Sequence, residues 1–361
     1  MSGGTERPVL ITGGAGFIGA NLADRLAREG HEIIVYDALL RPGVERNLGW
    51  LQQRHGPRIR HVHADVRDGA VLAEAVGAAK AVFHLAAQVA VTTSLVNPRD
   101  DFEINVLGTF NLLEAARQAR TPPPVIFAST NKVYGDLADL AFTTTPDGHL
   151  PSDMRVRTQG IDERRPLDFH TPYGCSKGAA DQYVIDYARS YGLPACVLRM
   201  SCIYGQRQMG TEDQGWVAHF LIRALEDEPI TLFGDGHQVR DILDVDDAVA
   251  AYINAWRRID KVAGQAFNLG GGPRNAVSLR TLISHIGDLI GREVDLRFDD
   301  WREGDQRYFV ADASAARAAL GLDTPLDWQS GVAKLAHWLA QERGIPLDGA
   351  LHTRPTRMAS L

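Results

Sequence analysis

No stretch of this chain limits its fold more than Val9 to Asp37. Val9-Leu-Ile-Thr12 is an apolar run of strand length, the pattern of a buried β-strand. Gly13-Gly-Ala-Gly-Phe-Ile-Gly19 follows and opens a helix that carries Leu22, Leu26 and Ala27 as far as Gly30. Ile33-Ile-Val-Tyr-Asp37 is the next strand, ending in a carboxylate. This is a β-α-β unit. The glycines at 14, 16 and 19 satisfy Gly-x-Gly-x-x-Gly, which supplies a tight turn, close approach of backbone to a pyrophosphate and close helix–strand packing, with the phosphates on the helix N-terminus. Asp37, 18 residues beyond Gly19, is placed to accept hydrogen bonds from an adenosine 2'-hydroxyl and to repel a 2'-phosphate. The unit predicts a dinucleotide site for NAD, with Arg41 as the nearby cation that would argue for NADP.

The alternation continues. Ile59–His63 ends at Ala64-Asp65-Val66, Ala81–Leu85 at Ala86-Ala87-Gln88, and Val125–Ala128 at Ser129-Thr130, before a last strand at Ala195–Arg199. Small or polar residues stand at each strand's carboxyl end, where open α/β sheets bind ligands. The predicted fold class is α/β: a Rossmann doubly wound parallel sheet of order 3-2-1-4-5-6 over residues 8–200, with a smaller C-terminal α/β lobe for substrate over 201–340. Residues 237–258 are expected to return to the first domain, and 344–361 to form a flexible tail. The turn-rich segment 136–170 exceeds an ordinary loop. It is expected either to fold over the active site or to make a peripheral excursion. His84, inside a buried strand, reads as a satisfied core histidine.

A net charge of -7 argues against a nucleic-acid partner, which calls for a basic footprint. Cys175, Cys196 and Cys202 form no Cys-x-x-Cys pair, which points to a reducing compartment and a cytoplasmic protein. No apolar run reaches the roughly 18 residues of a membrane span. The first residues lead directly into a strand, so no signal peptide is expected. The twelve His lack partners at metal-ligand spacing, so no metal is expected.

Tyr173-Gly-Cys-Ser-Lys177 is where chemistry concentrates. A Tyr and a Lys four apart share a helix face, and a nearby ammonium favours the phenolate, turning a group of pKa about 10 into an acid/base. Only five residues are Lys, among 38 basic ones. Arg serves nearly everywhere else, which marks the Lys chosen here.

The glycine loop, Asp37, Asp65-Val66, Leu85-Ala-Ala87, Asn105, Ser129-Thr130, Tyr173/Lys177 and Arg240-Asp241, in this order, resemble the extended short-chain dehydrogenase/reductases that modify nucleotide sugars. The resemblance runs from about Val9 to Leu339. It implies NAD held by Gly13, Gly16, Phe17, Ile18, Gly19, Asp37, Asp65, Val66, Leu85, Ala86, Ala87, Gln88, Asn105, Ser129, Tyr173 and Lys177. It also implies a homodimer built on the helices Asp101–Arg120 and Tyr173–Tyr191. Within that family, Ser129–Asp136, Asp168–Gln182, Asp213–Val217 and Asp305-Gln-Arg307 look like the epimerases that invert C2 of a CDP-deoxyhexose, the CDP-paratose to CDP-tyvelose reaction.

That likeness makes Tyr173 the acid/base, Lys177 the group that lowers its pKa and holds the nicotinamide ribose, and Thr130 the partner of the reacting hydroxyl. Hydride would leave sugar C2 for NAD, give a 2-keto intermediate and return to the opposite face. In the related 4,6-dehydratases Asp-Glu would follow Thr130. Asn131-Lys132 stands here and cannot do that carboxylate work, but can contact substrate. Arg240, Arg302 and Arg307 match positions that clamp a diphosphate, and Gln214 and Trp216 would border nucleotide or sugar. UDP-sugar 4-epimerases typically carry Asn where Cys202 stands. A UDP-sugar 4-epimerase and an NAD-sensing regulator without catalysis are the alternatives.

Overall fold

The computed structural model describes residues 7–347. Seven strands form one sheet: β1 (Val9–Thr12), β2 (Ile33–Tyr36), β3 (Ile59–Val62), β4 (Ala81–His84), β5 (Val125–Thr130), β6 (Ala195–Met200) and β7 (Ala266–Leu269). All pairs are parallel, in the order β3-β2-β1-β4-β5-β6-β7. The fold is therefore the expected doubly wound Rossmann sheet, extended by one strand beyond the six read from the sequence. β1, β2, β4 and β5 are buried along their whole length. Burial on both faces explains why these segments are continuous apolar runs without polar alternation.

Helices α1 (Phe17–Arg28) and α2 (Val44–His55) cover one face. Helices α3 (Gly69–Ala78), α4 (Gly108–Gln118) and α5 (Thr171–Tyr191) cover the other. Each face has its own apolar core: Leu22, Leu26, Val35 and Phe83 belong to the first, and Leu72, Val82, Leu112 and Val184 to the second. Helix α6 (Val245–Arg257) joins the first core through Val245, Ala248 and Tyr252. The strand before it, Val239–Asp244, pairs instead with Cys202–Tyr204, Ala276–Ser278 and Tyr308–Phe309.

A third core, with Phe220, Leu221, Leu282, Ile286, Val332 and Leu335, holds the second lobe together. Ile345 and Leu347 pack against it, so the start of the expected tail is docked. Residues 348–361 lie outside the described residues. The segment 136–170 takes the peripheral course. Its hairpin, Phe142–Thr145 and Gly148–Pro151, leans on the second lobe: the His149 amide donates to the His237 carbonyl at 2.8 Å and the Ile161 amide to the Val310 carbonyl at 2.8 Å. No helix among the described residues is long and apolar enough to cross a membrane.

Candidate active site

Two cavities meet at the carboxyl ends of the strands. The first, about 330 Å³, runs along the glycine loop, past Asp37 and Asp65 to Tyr173 and Lys177. Glycine is required by contact: a Cβ on Gly19 would lie 2.3 Å from the Gly13 carbonyl oxygen, and one on Gly13, at φ +68°, 2.8 Å from the Ala86 amide. Asp37 braces the loop, one carboxylate oxygen accepting from the Ala15 amide at 3.0 Å and the other from the Leu39 amide at 2.9 Å. Asp65 is gripped by Arg67, whose guanidinium also reaches Asp100 at 2.7 Å. The Arg67 hydrogen bonds outweigh burial and hold the Asp65 carboxyl below its usual range.

This cavity suits NAD on its own evidence. The loop admits backbone where a side chain would collide. Two buried acceptors on its walls, Asn47 Oδ1 and Gln208 Oε1, have no hydrogen-bond partner among the described residues, and a ribosyl hydroxyl or an amide of a dinucleotide satisfies such a group.

Tyr173 lines both cavities, as do Val89 and Gln214. It sits in the first turn of α5 behind Pro172, a residue pre-set for a helix start. Its amide is held by Ser94 Oγ at 3.2 Å, and the nearby Thr130 side chain favours its phenolate. The electrostatics differ from the expectation. Burial pushes the Tyr173 phenol up to about 12, and no cation offsets it. Lys177 turns its ammonium to the Ala128 carbonyl at 2.6 Å, 4.3 Å from the centre of the Phe127 ring. Burial brings that ammonium down to about 7, against the opposing pull of Asp181 and Asp101. The pair is thus placed together but is not tuned by this environment. His84 is the satisfied core histidine expected, bonded to Thr12 at 2.7 Å and Thr109 at 3.1 Å and held neutral by burial, which takes its pKa to about 3.

The second cavity, about 370 Å³, is walled by Thr130, Asn131, Lys132, Gln214, Trp216, Arg240 and Arg302. Lys132 donates to the Gly304 carbonyl at 3.0 Å, and burial brings its pKa down to about 8. Asn131 donates to Gln306 at 3.2 Å. Arg240 bonds Asp305 at 2.7 Å, and Arg302 lies 3.7 Å from the Phe233 ring centre while donating to the Glu212 carbonyl at 3.0 Å. Trp216 donates its indole N–H to Cys202 Sγ at 3.4 Å.

Three expected residues fall short of the walls. Asn105, in a π-helical turn at Glu103–Leu107, and Gln88 bond each other: the Gln88 amide donates to Asn105 Oδ1 at 2.9 Å and Asn105 Nδ2 to the Gln88 carbonyl at 3.0 Å. Their job is to hold the loop that presents Leu85, Ala86, Ala87 and Val89. Arg307 is exposed and lies 5.9 Å from the Trp301 ring centre. Conversely, Asn47, Arg207, Gln208, Met209 and Thr211 line the first cavity, and Asp213, His219 and Gln238 the second. No periodicity marks them, because they lie in loops or on faces of helices chosen by the tertiary fold. One group of possible cation ligands among the described residues, Asp136, Asp168 and His170, lies outside both cavities.

Residues 9–270 match the model of the NAD dependent epimerase/dehydratase family. The chain belongs to that family, and its cofactor is NAD. It is 43% identical over 339 residues to CDP-paratose 2-epimerase of Salmonella typhi, covering 91% of this chain and 98% of the relative. Among solved structures, UDP-glucose 4-epimerase of Thermotoga maritima with UDP-glucose superposes with a TM-score of 0.79 at 29% identity, covering 93% of this chain and 99% of that one. UDP-glucuronic acid 4-epimerase of Bacillus cereus, in complex with UDP-glucuronic acid and NAD, gives 0.80 at 25% identity over the same shares.

Proposed function

We propose that the chain inverts C2 of a CDP-deoxyhexose, interconverting sugars of the CDP-paratose and CDP-tyvelose type through a transient keto sugar. The carrying observation is that Tyr173 belongs to both cavities, with Thr130 sharing the wall of the second. A carbinol carbon held in the second cavity thereby faces the first across one phenol. NAD supplies a reversible acceptor for the hydride of that carbon, so the reaction has no net redox change. Thr130 orients the sugar hydroxyl, Tyr173 takes its proton and later restores one, and Lys177, one helical turn on, holds the nicotinamide ribose. Asn131 and Lys132 offer an amide and an ammonium to the sugar. Neither supplies the carboxylate chemistry that removes water.

Arg240 and Arg302 are the guanidinium forks for the diphosphate, with Gln214 and Trp216 beside the nucleotide or sugar. Residues 8–200 serve mainly NAD, and 201–340, with Gln238 and Arg240 on the second cavity's wall, mainly the substrate. The C2 position and the CDP group are supported by the 43% relative and by Cys202 at the wall. We also infer a homodimer, supported by exposed Phe102, Leu107, Phe110, Tyr183 and Tyr191 on the two expected helices, and a cytoplasmic location, supported by three unpaired thiols.

The test is proton NMR of CDP-paratose, CDP-tyvelose and UDP-glucose incubated with the holoenzyme in ordinary and deuterated water. Inversion at C2 without solvent deuterium is expected. Brisk turnover of UDP-glucose at C4 with none of the CDP sugars would overturn the reading.

A further inference from the structure

Residues 206–209, at the entry to the second lobe, run along the first cavity and are bridged to the glycine loop by Asn47. Arg207, Gln208 and Met209 form part of its wall, and Arg207 holds a left-handed φ of +68°, a strained conformation outside glycine. Such a turn persists only when its surroundings fix it, and here two asparagine amides do so. Asn21 Nδ2, on α1, donates to the Gln206 carbonyl at 3.0 Å and to the Phe17 carbonyl at 2.9 Å. Asn47 Nδ2, on α2, donates to the Arg207 carbonyl at 3.1 Å and to the Ala15 carbonyl of the glycine loop at 3.1 Å. Each amide therefore ties the crossing segment to the cofactor-binding face. The side chains add to this: the Arg207 guanidinium lies 4.1 Å from the Trp50 ring centre and 5.4 Å from that of Trp338.

We propose that Asn21 and Asn47 are positioning residues that fasten 206–209 as a strap over NAD, keeping the cofactor in place between the oxidising and reducing halves of one turnover. The chemistry requires retention. In the first half the sugar loses a hydride and a proton and becomes a ketone. The two electrons return only if the same reduced cofactor stays beside that ketone. Escape at that moment strands an oxidised sugar and an empty enzyme. A strap pinned to both helices lowers the rate of escape without touching the reacting atoms.

The measurement is cofactor exchange. Holoenzyme loaded with isotopically labelled NAD is chased with excess unlabelled NAD, and the label retained after gel filtration is read by mass spectrometry. Asn47→Ala and Asn21→Ala should each speed the loss of label at least about tenfold, the equivalent of about 1.4 kcal/mol. Asn21 is not a wall residue of either cavity, so its effect reports the strap and not a lost contact to NAD. Trp50→Leu, which removes the ring beside Arg207 and spares both amides, should act in the same direction and stands in if an asparagine variant does not fold. A purely structural role would lower the melting temperature and leave exchange in the folded fraction at the wild-type rate. That outcome overturns the proposal. No sugar enters the assay, so its result is independent of the C2 reading.

Discussion

At the scale of single residues, Tyr173 carries the steepest expectation. Its phenol is buried, and removal of the oxygen leaves no other group shared by both cavities that can take a proton from a carbinol. Tyr173→Phe should lower turnover by about 10²–10⁴-fold, the span of general acid–base catalysis. It should leave the NAD content of the purified protein unchanged, as read by absorbance after denaturation. Asp241 is a separate case, because its effect is on stability. Its carboxylate is fully buried, accepts from the Gly272 amide at 3.0 Å and from the Ser201 hydroxyl, and is pushed up to about 6 by burial. A carboxyl raised above its unfolded value of about 3.9 gives stability that is fully present below that value and lost as pH rises through about 6. Asp241→Asn keeps the shape without the charge. Relative to wild type it should gain up to about 3 kcal/mol between pH 4 and pH 7, measured as urea unfolding at both values. A gap that stays constant across that range would show that Asp241 does not titrate there.

At the scale of elements, the glycine loop and α1 form one unit whose geometry leaves no room for a methyl group. Gly19→Ala would press a Cβ into the Gly13 carbonyl and the Gly14 Cα, at 2.3 and 2.7 Å. Backbone cannot swing aside as a flexible side chain can. The variant should lose about 1–3 kcal/mol of stability and bind NAD at least about tenfold more weakly, checked by thermal unfolding with and without added NAD. This unit was legible because its strands are buried on both faces and its glycines are demanded by contact, so pattern and packing agree. Strand β7 was not legible. Its four residues, Ala266–Leu269, gain strand character by pairing with β6, a contact of long sequence separation. Residues 206–214 were missed for a related reason: they have no period, and side-chain amides on α1 and α2 set their course. In the site, Thr130, Tyr173 and Lys177 could be read because their residue types carry the chemistry. The turn of Lys177 toward the Ala128 carbonyl could not, since it depends on where β5 passes beneath α5.

At the scale of the whole molecule, the surface of the first domain is uneven in a way that argues for a second copy. Phe102, Leu107 and Phe110 are 56, 40 and 39% exposed, and Tyr183 and Tyr191 are 45 and 57% exposed. Phe110 and Tyr183 touch edge to face with ring centres 6.1 Å apart, so α4 and α5 present one continuous apolar face. Large side chains exposed singly need no explanation, but a contiguous patch on a chain otherwise rich in surface charge marks an interaction site. A two-fold axis would lay this face against itself, pairing α4 and α5 with their copies. The face lies on the side of the sheet covered by α3, α4 and α5, whereas the strap crosses to α1 and α2 on the other side. If the chain pairs through this face, pairing and the proposed strap lie on opposite sides of the sheet and are separable. Placing a charge at the centre of the patch should divide the dimer, because a buried unpaired carboxylate costs several kcal/mol when duplicated by symmetry. Phe110→Glu and Tyr183→Glu should each sediment as monomers at micromolar concentration where wild type sediments as a dimer. Each monomer should keep its NAD and the wild-type rate of NAD exchange. A wild-type protein that is monomeric under these conditions would refute the pairing, and variants that lose NAD on dissociation would show that the two faces are coupled after all.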